Sequence, residues 1–188
     1  VAMAFVHGPV EVKLCTEQRR NITTSSGLVV AAQADWDYIA KADMVIFPSW
    51  PIDLEINDAL SQKLEVATSR GVTLVGLCTG AFALGYAGVL NGKTATSHWR
   101  YAHEFADKFP RVKFESNPLY IDAENIVTSA GSAAAIDCCL YLLRQLRGNN
   151  IANQVARMMV AAPSRGGGQN QFIKQDLSLK HTRPRPPD

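Results

Sequence analysis

The sequence predicts one α/β domain in which parallel strands are joined by crossover helices, and three observations carry that expectation. Strand-like and helix-like segments alternate along the chain. One strand-helix-strand unit is complete: the apolar run Asp43 to Phe47, then Ile56, Leu60 and Leu64 at four-residue spacing, then the continuous apolar run Val72 to Leu77. An unbroken run of that length suits a strand buried on both faces, as parallel sheets require. Third, 188 residues with 47% hydrophobic and 19% charged content suffice for one sizeable core and are short for two.

The remaining elements follow in order. Val10 to Cys15 alternates as a strand does, and Pro48 ends the Asp43 to Phe47 run. Asp53, just after Pro51, is a candidate cap for the helix through Ile56 to Leu64. From Thr79 to Leu90 a helix is apolar on most faces (Phe82, Leu84, Tyr86, Val89, Leu90) and belongs in the core. A turn at Asn91-Gly92 leads to a brief strand at 94 to 96 and a helix from His98-Trp99 through Phe109, stopped by Pro110. Short strands are expected at Val112 to Phe114, Leu119 to Asp122 and Ile126 to Thr128. Ser132 stands where an N-cap belongs, ahead of a helix bearing Ile136, Leu140 and Leu143 and closed by Gly148. A last helix, Ile151 to Val160, is amphipathic through Ile151, Val155, Met158 and Met159, with both Met in the core. Beyond Pro163 the chain turns Gly-rich, then Pro- and Arg-rich, as a linker or tail does.

Bulk properties exclude several classes. No apolar run approaches the ~20 residues of a membrane span, and no export signal opens the chain, so a soluble, cytoplasmic protein with no membrane partner is expected. Cys15, Cys78, Cys138 and Cys139 lack zinc-site spacing and fit a reducing compartment. His7, His98, His103 and His181 form no ligand box, so neither metal nor cofactor is expected. Of the net charge of +2, the excess lies in the tail (Lys174, Lys180, Arg183, Arg185 against Asp176, Asp188), leaving a balanced body with no electrostatic reason to bind nucleic acid by itself.

The chemistry concentrates at Gly76-Leu77-Cys78-Thr79-Gly80, where the buried strand turns into the core helix. Small residues two places either side of a nucleophile are what a tight, strained elbow needs. A thiol at a helix start is favoured as thiolate, and the Thr79 and Gly80 amides are candidate oxyanion donors. The plainer reading is a small buried cysteine. His98 is the candidate base, against the plainer reading of a packed, hydrogen-bonded histidine beside Trp99. Asp43, Asp53, Asp122 and Glu124 all stay open as its orienting partner. Trp50 and Trp99, each near a strand end, are candidate pocket walls, with core packing as the alternative.

Three runs carry a family resemblance: GLCTGAFALGYAGVLNGKTATSHW (76 to 99), VTSAGSAAAIDCCLYLLR (127 to 144) and ANQVARMMVAAPSRGGGQNQF (152 to 172). Together they resemble the amidase-like N-terminal domain of AraC-family transcription regulators of the GlxA and FtrA type, over about Val10 to Ile173. The most specific part, Arg165 to Phe172, is similar to the Arg-x-Gly-Gly-Gln-x-Gln-Phe segment that precedes the DNA-binding half of such regulators. The wider DJ-1/PfpI superfamily, related to class I glutamine amidotransferases, shares the cysteine elbow and a similar separation between Cys78 and His98. The implied fold is a flavodoxin-like parallel-sheet sandwich of the DJ-1/PfpI type.

Three departures accompany it. Relatives of the PfpI type carry His directly after the nucleophile, where this chain has Thr79, which is no base near neutral pH. Such domains open with a strand, a turn whose acidic residue touches the cysteine, and a helix, and this chain is expected to start after them. The two helix-turn-helix units expected downstream are not supplied by Lys174 to Asp188. The expected organisation is a sensor domain over 1–173 and a tail over 174–188.

The resemblance thus implies a ligand-sensing, homodimerising domain that binds a small metabolite, often nitrogen-containing, near Cys78, Thr79, Gly80, His98, Trp50 and Trp99, with DNA contacted only through a separate helix-turn-helix domain. The alternative is a cysteine-dependent hydrolase or hydratase, of amidase or isonitrile hydratase type, with Cys78 as nucleophile and His98 as proton shuttle. A third reading is a redox sensor acting through oxidation of Cys78.

Overall fold

The computed structural model describes residues 10–24 and 26–171. The boundary expected at 173 and the tail beyond it lie outside the described residues.

A small N-terminal lobe precedes the main sheet. Strand β1 (Cys15–Thr16) runs parallel to β4 (Ala34–Asp35), and between them β2 (Ile22–Thr23) and β3 (Val29–Val30) form an antiparallel ladder. The strand expected over Val10 to Cys15 is therefore shorter. At Leu14 the backbone N–H is taken by the Gln33 side chain at 2.9 Å, so the ladder starts only beyond it.

The main sheet has four strands in the order β5 (Met44–Phe47), β6 (Thr73–Leu77), β10 (Ile126–Ser129) and β9 (Tyr120–Ala123). The first three are parallel, and β9 returns antiparallel to β10. The tight link between β9 and β10 is Glu124-Asn125, both with positive φ (54° and 66°), the twist a two-residue hairpin needs. A further parallel pair, β7 (Thr94–Ala95) with β8 (Lys113–Phe114), stands beside it.

Helix α1 (Asp58–Ser69) buries Leu60, Leu64 and Ala67, the four- and three-residue spacing seen in the sequence. Its N-cap is Asn57, whose side chain accepts the Leu60 N–H at 3.0 Å, and not Asp53, which instead pairs with Lys108 at 3.1 Å. Gly71, with φ 77°, closes its C-terminus: Val72 N–H reaches Ala67 O and Gly71 N–H reaches Thr68 O, both at 3.0 Å. Helix α2 (Gly80–Tyr86) ends earlier than its apolar run, which continues as turns around Gly88. After a 3₁₀ turn at Trp99–Tyr101 comes α3 (Ala102–Lys108).

The last helical segment, α4 (Ala133–Met158), is interrupted at Gly148 (φ 80°, ψ 171°), where the sequence places a helix end. Its second part folds back so that Ala152, Val155 and Ala156 pack on Leu140 and Leu143. Ser132 precedes it at φ 50°, and its hydroxyl makes no capping bond. Two residues assigned to the core are more open than expected: Ile136 is 39% and Met158 56% exposed, whereas Met159 packs against the folded-back pair.

Alternation along the central strands produces three layers. Leu74 and Ile126 join α1, Phe82, Phe105 and Phe109 on one face, while Val75, Leu77 and Val127 meet Cys138 and Leu142 on the other. The first face is an aromatic cluster in which Phe82 contacts Phe105 edge-on at 4.9 Å. Helix α2 lies close against the sheet because its glycines permit it. A Cβ on Gly76 would stand 2.7 Å from Ala81 Cα, one on Gly85 would meet the Phe109 ring at 2.7 Å, and one on Gly80 would overlap the carbonyl of Phe47. Replacing Gly80 by alanine must push α2 off β5. Gly80→Ala is expected to cost about 1–3 kcal/mol of stability or more, read as a lower urea midpoint at unchanged slope.

Candidate functional site

Cys78 stands between the last residue of β6 and the first turn of α2 with φ 54°, a conformation that non-glycine residues adopt under strain. Two bonds hold it there. Its N–H donates to Ser129 O at the end of β10 at 2.9 Å, and its carbonyl accepts the Ser97 hydroxyl at 2.9 Å. On its open side lies Gly131, with φ 82°, where any Cβ would collide with the Cys78 side chain, standing 2.7 Å from Sγ. The sequence-predicted elbow is thus present, and its glycine cradle has a third member, Gly131, that the Gly76 and Gly80 spacing did not reveal. Its one signal is a glycine just past the end of the strand beside β6.

Thr79 ties the elbow to the loop after β5, since its hydroxyl oxygen accepts the Trp50 N–H at 3.2 Å. Trp50 packs edge-on against Phe47 at 5.9 Å, and its indole N–H donates to Leu54 O at 2.6 Å. This tryptophan is therefore both a neighbour of Thr79 and a fixed part of its own loop.

On the opposite side, Thr96 and Ser97 are fully buried, and Thr96 N–H donates to Thr128 Oγ1 at 2.9 Å. This anchors the loop carrying His98 and Trp99 behind the elbow. Among the described residues no hydrogen bond joins the Cys78 thiol to the His98 ring; the link runs through Ser97. His98 Nδ1 accepts the Arg100 N–H at 3.2 Å, and the ring lies 5.6 Å from Trp99 and 6.1 Å from Tyr101. Partial burial, assisted by the nearby Arg100 charge, holds the His98 pKa below the usual imidazole value. None of the acidic candidates orients it. Asp53 pairs with Lys108, Asp122 accepts the Tyr141 hydroxyl at 2.6 Å, and Glu124 pairs with Lys93 at 2.6 Å.

A residue absent from the sequence-based set organises this loop. Gln171, 8% exposed, donates from Nε2 to Ser97 O at 3.1 Å and to Pro118 O at 3.2 Å, while its Oε1 accepts the Trp99 N–H at 3.1 Å. The segment leading to it lies along β9. Leu119 N–H donates to Gly167 O at 2.7 Å, the Tyr120 hydroxyl donates to Arg165 O at 3.2 Å, and Arg165 approaches the buried Asp137 carboxylate at 3.2 Å as an ion pair without hydrogen-bond alignment. Burial raises the Asp137 pKa against the pull of Arg165.

Burial pushes up the pKa of Cys15, Cys138 and Cys139. Two surface clefts, of about 260 Å³ beside Asp35 and Tyr38 and about 210 Å³ beside Asp122 and Tyr141, contain none of Cys78, Thr79, Gly80, His98, Trp50 and Trp99. No helix among the described residues is long and apolar enough to cross a membrane.

Known proteins with the same arrangement place the chain. It is 33% identical over 154 residues to the HTH-type transcriptional regulator CdhR of Pseudomonas aeruginosa, an alignment covering 81% of this chain and 46% of that protein. The chain therefore spans a little under half the length of that regulator. It is 28% identical over 159 residues to an isonitrile hydratase of Pseudomonas putida, covering 82% of this chain and 68% of the enzyme. Among solved structures, an AraC family transcriptional regulator from Pseudomonas putida superposes with a TM-score of 0.72 at 19% identity, covering 84% of this chain and 85% of that one, which is a likeness of fold. The DJ-1/PfpI family profile matches residues 1–145. With the strained cysteine between β6 and α2 and the parallel sheet that carries it, this match shows that the chain belongs to the DJ-1/PfpI family.

Proposed function

We propose that this chain is the ligand-sensing domain of an AraC-family transcription regulator, acting as a homodimer and taking a small, nitrogen-containing metabolite at the elbow. DNA is contacted through helix-turn-helix units outside this sequence, and the domain organisation is a sensor over 1–173 followed by a tail. The similarity to the regulator CdhR over four-fifths of the chain supports this reading. The ligand would rest on Cys78, Thr79, Gly80 and His98, with Trp50 and Trp99 flanking.

One observation favours binding over catalysis. His98 Nδ1 already accepts a backbone N–H, so in the neutral ring the proton resides on Nε2. The imidazole therefore offers a hydrogen-bond donor at Nε2, and among the described residues no bond joins the ring to the Cys78 thiol as a base that generates a nucleophile would require. Its lowered pKa keeps that donor neutral near pH 7. A carbonyl or carboxylate oxygen suits it.

The enzymatic reading draws on the isonitrile hydratase relative and on the cysteine itself, strained and half-buried at the elbow. Turnover separates the two. Against a panel of small amides, isonitriles and carbonyl compounds the wild-type chain is expected to give no product, and conversion abolished by Cys78→Ala would overturn the sensor reading. In the same panel, extended to amino acids and other small nitrogen compounds, a ligand at one hundred times its Kd is expected to stabilise the fold by about 2.7 kcal/mol, read as a rise in Tm. No stabilisation by any of them counts against a pocket at the elbow.

The histidine gives a second check. The folded form holds its proton less tightly than the unfolded chain. Its contribution to stability is therefore intact above about pH 6.5 and declines as the pH falls from there towards the depressed folded value. An NMR titration is expected to place the His98 midpoint below the ordinary value. His98→Gln is expected to flatten the fall in urea midpoint between pH 7.5 and pH 5.5.

A further inference from the structure

Gln171 is the last described residue, and both of its side-chain polar atoms bond to loops that flank the elbow. Nε2 divides its hydrogens between Ser97 O and Pro118 O, with Thr96 Oγ1 at 3.4 Å, and Oε1 holds the Trp99 N–H. The Gln171 backbone N–H donates to Asn117 O at 2.7 Å. Ser97 in turn holds the Cys78 carbonyl. Two links thus connect the strained thiol-bearing residue to Gln171: Ser97 Oγ to Cys78 O, and Gln171 Nε2 to Ser97 O.

The contacts upstream of Gln171 are of another kind. Arg165 and Gly167 are fixed to β9 and to Asp137 on α4, at the sheet edge, and touch neither the elbow nor the His98 loop. A buried amide is intolerant of displacement, because a shift that breaks its bonds leaves polar groups without partners away from water. If the 96–99 loop moves, Gln171 must move with it or release it, whereas the segment at 165–167 can stay in place.

We propose that Gln171 is a positioning residue acting as a latch: its buried side chain fixes the backbone of Ser97 and Trp99 against the elbow, so that the state of the elbow and the state of Gln171 are coupled. The proposal rests on the sensor reading and deepens it by naming a residue that responds to the elbow. Coupling of this kind is reciprocal, so a change at either end alters the other. That property lets the latch be tested without knowing the natural ligand.

The probe is iodoacetamide, and the readout is the alkylation rate of Cys78 in the full 188-residue chain, followed by peptide mass spectrometry. Gln171→Leu frees the loop behind the elbow and is expected to raise the rate by about fivefold or more. Arg165→Gln, which cuts the sheet-edge anchor only, is expected to lower the Tm while leaving the rate within about twofold of wild type. Equal rates in Gln171→Leu and wild type overturn the latch, as does an equal acceleration by Arg165→Gln, which would mean general loosening. Should Gln171→Leu fail to fold, wild-type protein with Cys78 alkylated replaces it. Hydrogen exchange at the Trp99 and Gln171 amides is then expected to rise while that at Leu119 does not, and unchanged exchange at both overturns the proposal. Since neither experiment uses a metabolite, failure of the latch is distinct from failure of the sensor reading, which the ligand and turnover panels decide.

Discussion

The structure depends on one constraint, the left-handed backbone at Cys78. The chain passes from β6 into α2, which lies close over the sheet, with only Cys78 and Thr79 between them, and the positive φ at Cys78 makes that turn. The conformation is unfavourable for a side chain with a Cβ, and persists because the surroundings over-determine it. The Cys78 N–H is claimed by the neighbouring strand and its carbonyl by Ser97, while bare glycines at 76, 80 and 131 leave no room for alternatives. Every feature of the site follows from this geometry: the thiol is lifted out of the sheet, and the loops after β5 and β7 are drawn in around it.

The loop after β7 is held chiefly by buried polar bonds, whereas the loop after β5 also packs Trp50 against Phe47. Thr96, Ser97, Thr128 and Gln171 are hydroxyl- or amide-bearing residues with almost no exposure, and all their contacts converge between the elbow and the end of the described chain. A hydrophobic contact here would tolerate sliding, whereas directional bonds permit only a few discrete arrangements. A fold that other proteins use for catalysis can in this way also serve regulation.

Much of this was legible in the sequence, for physical reasons that differ by element. The central strands were readable because burial on both faces forces continuous apolar runs such as Val72 to Leu77, and α1 because its one-sided burial imposes a four-residue period. Gly148 marked a helix end because glycine alone accepts its backbone angles cheaply. The elbow was legible in Gly-Leu-Cys-Thr-Gly, since close approach to Phe47 and Ala81 excludes side chains at both glycines. What escaped depends on contacts distant in sequence. Asn57 rather than Asp53 caps α1, because both are competent side chains and only the chain's path chooses between them. Gly131 meets Cys78 at a separation of 53 and Gln171 meets Ser97 at a separation of 74, so no local pattern marks either contact, although Gln171 lies in the motif that stood out by resemblance. The pairing of Arg165 with Asp137 is hidden likewise, although the motif containing Arg165 stood out by resemblance.

The contact between Gly131 and Cys78 also bears on how this protein can change over time. A side chain at 131 would occupy the space that the Cys78 Cβ and Sγ fill, so the two positions share one volume. Even a glycine in place of Cys78 would leave position 131 closed, because the Cα of residue 78 lies 2.8 Å from the added Cβ and a φ of 82° is one that side chains rarely adopt. Glycine at 131 is therefore held by its own backbone as well as by its neighbour, and a library randomising that position would search a space already closed.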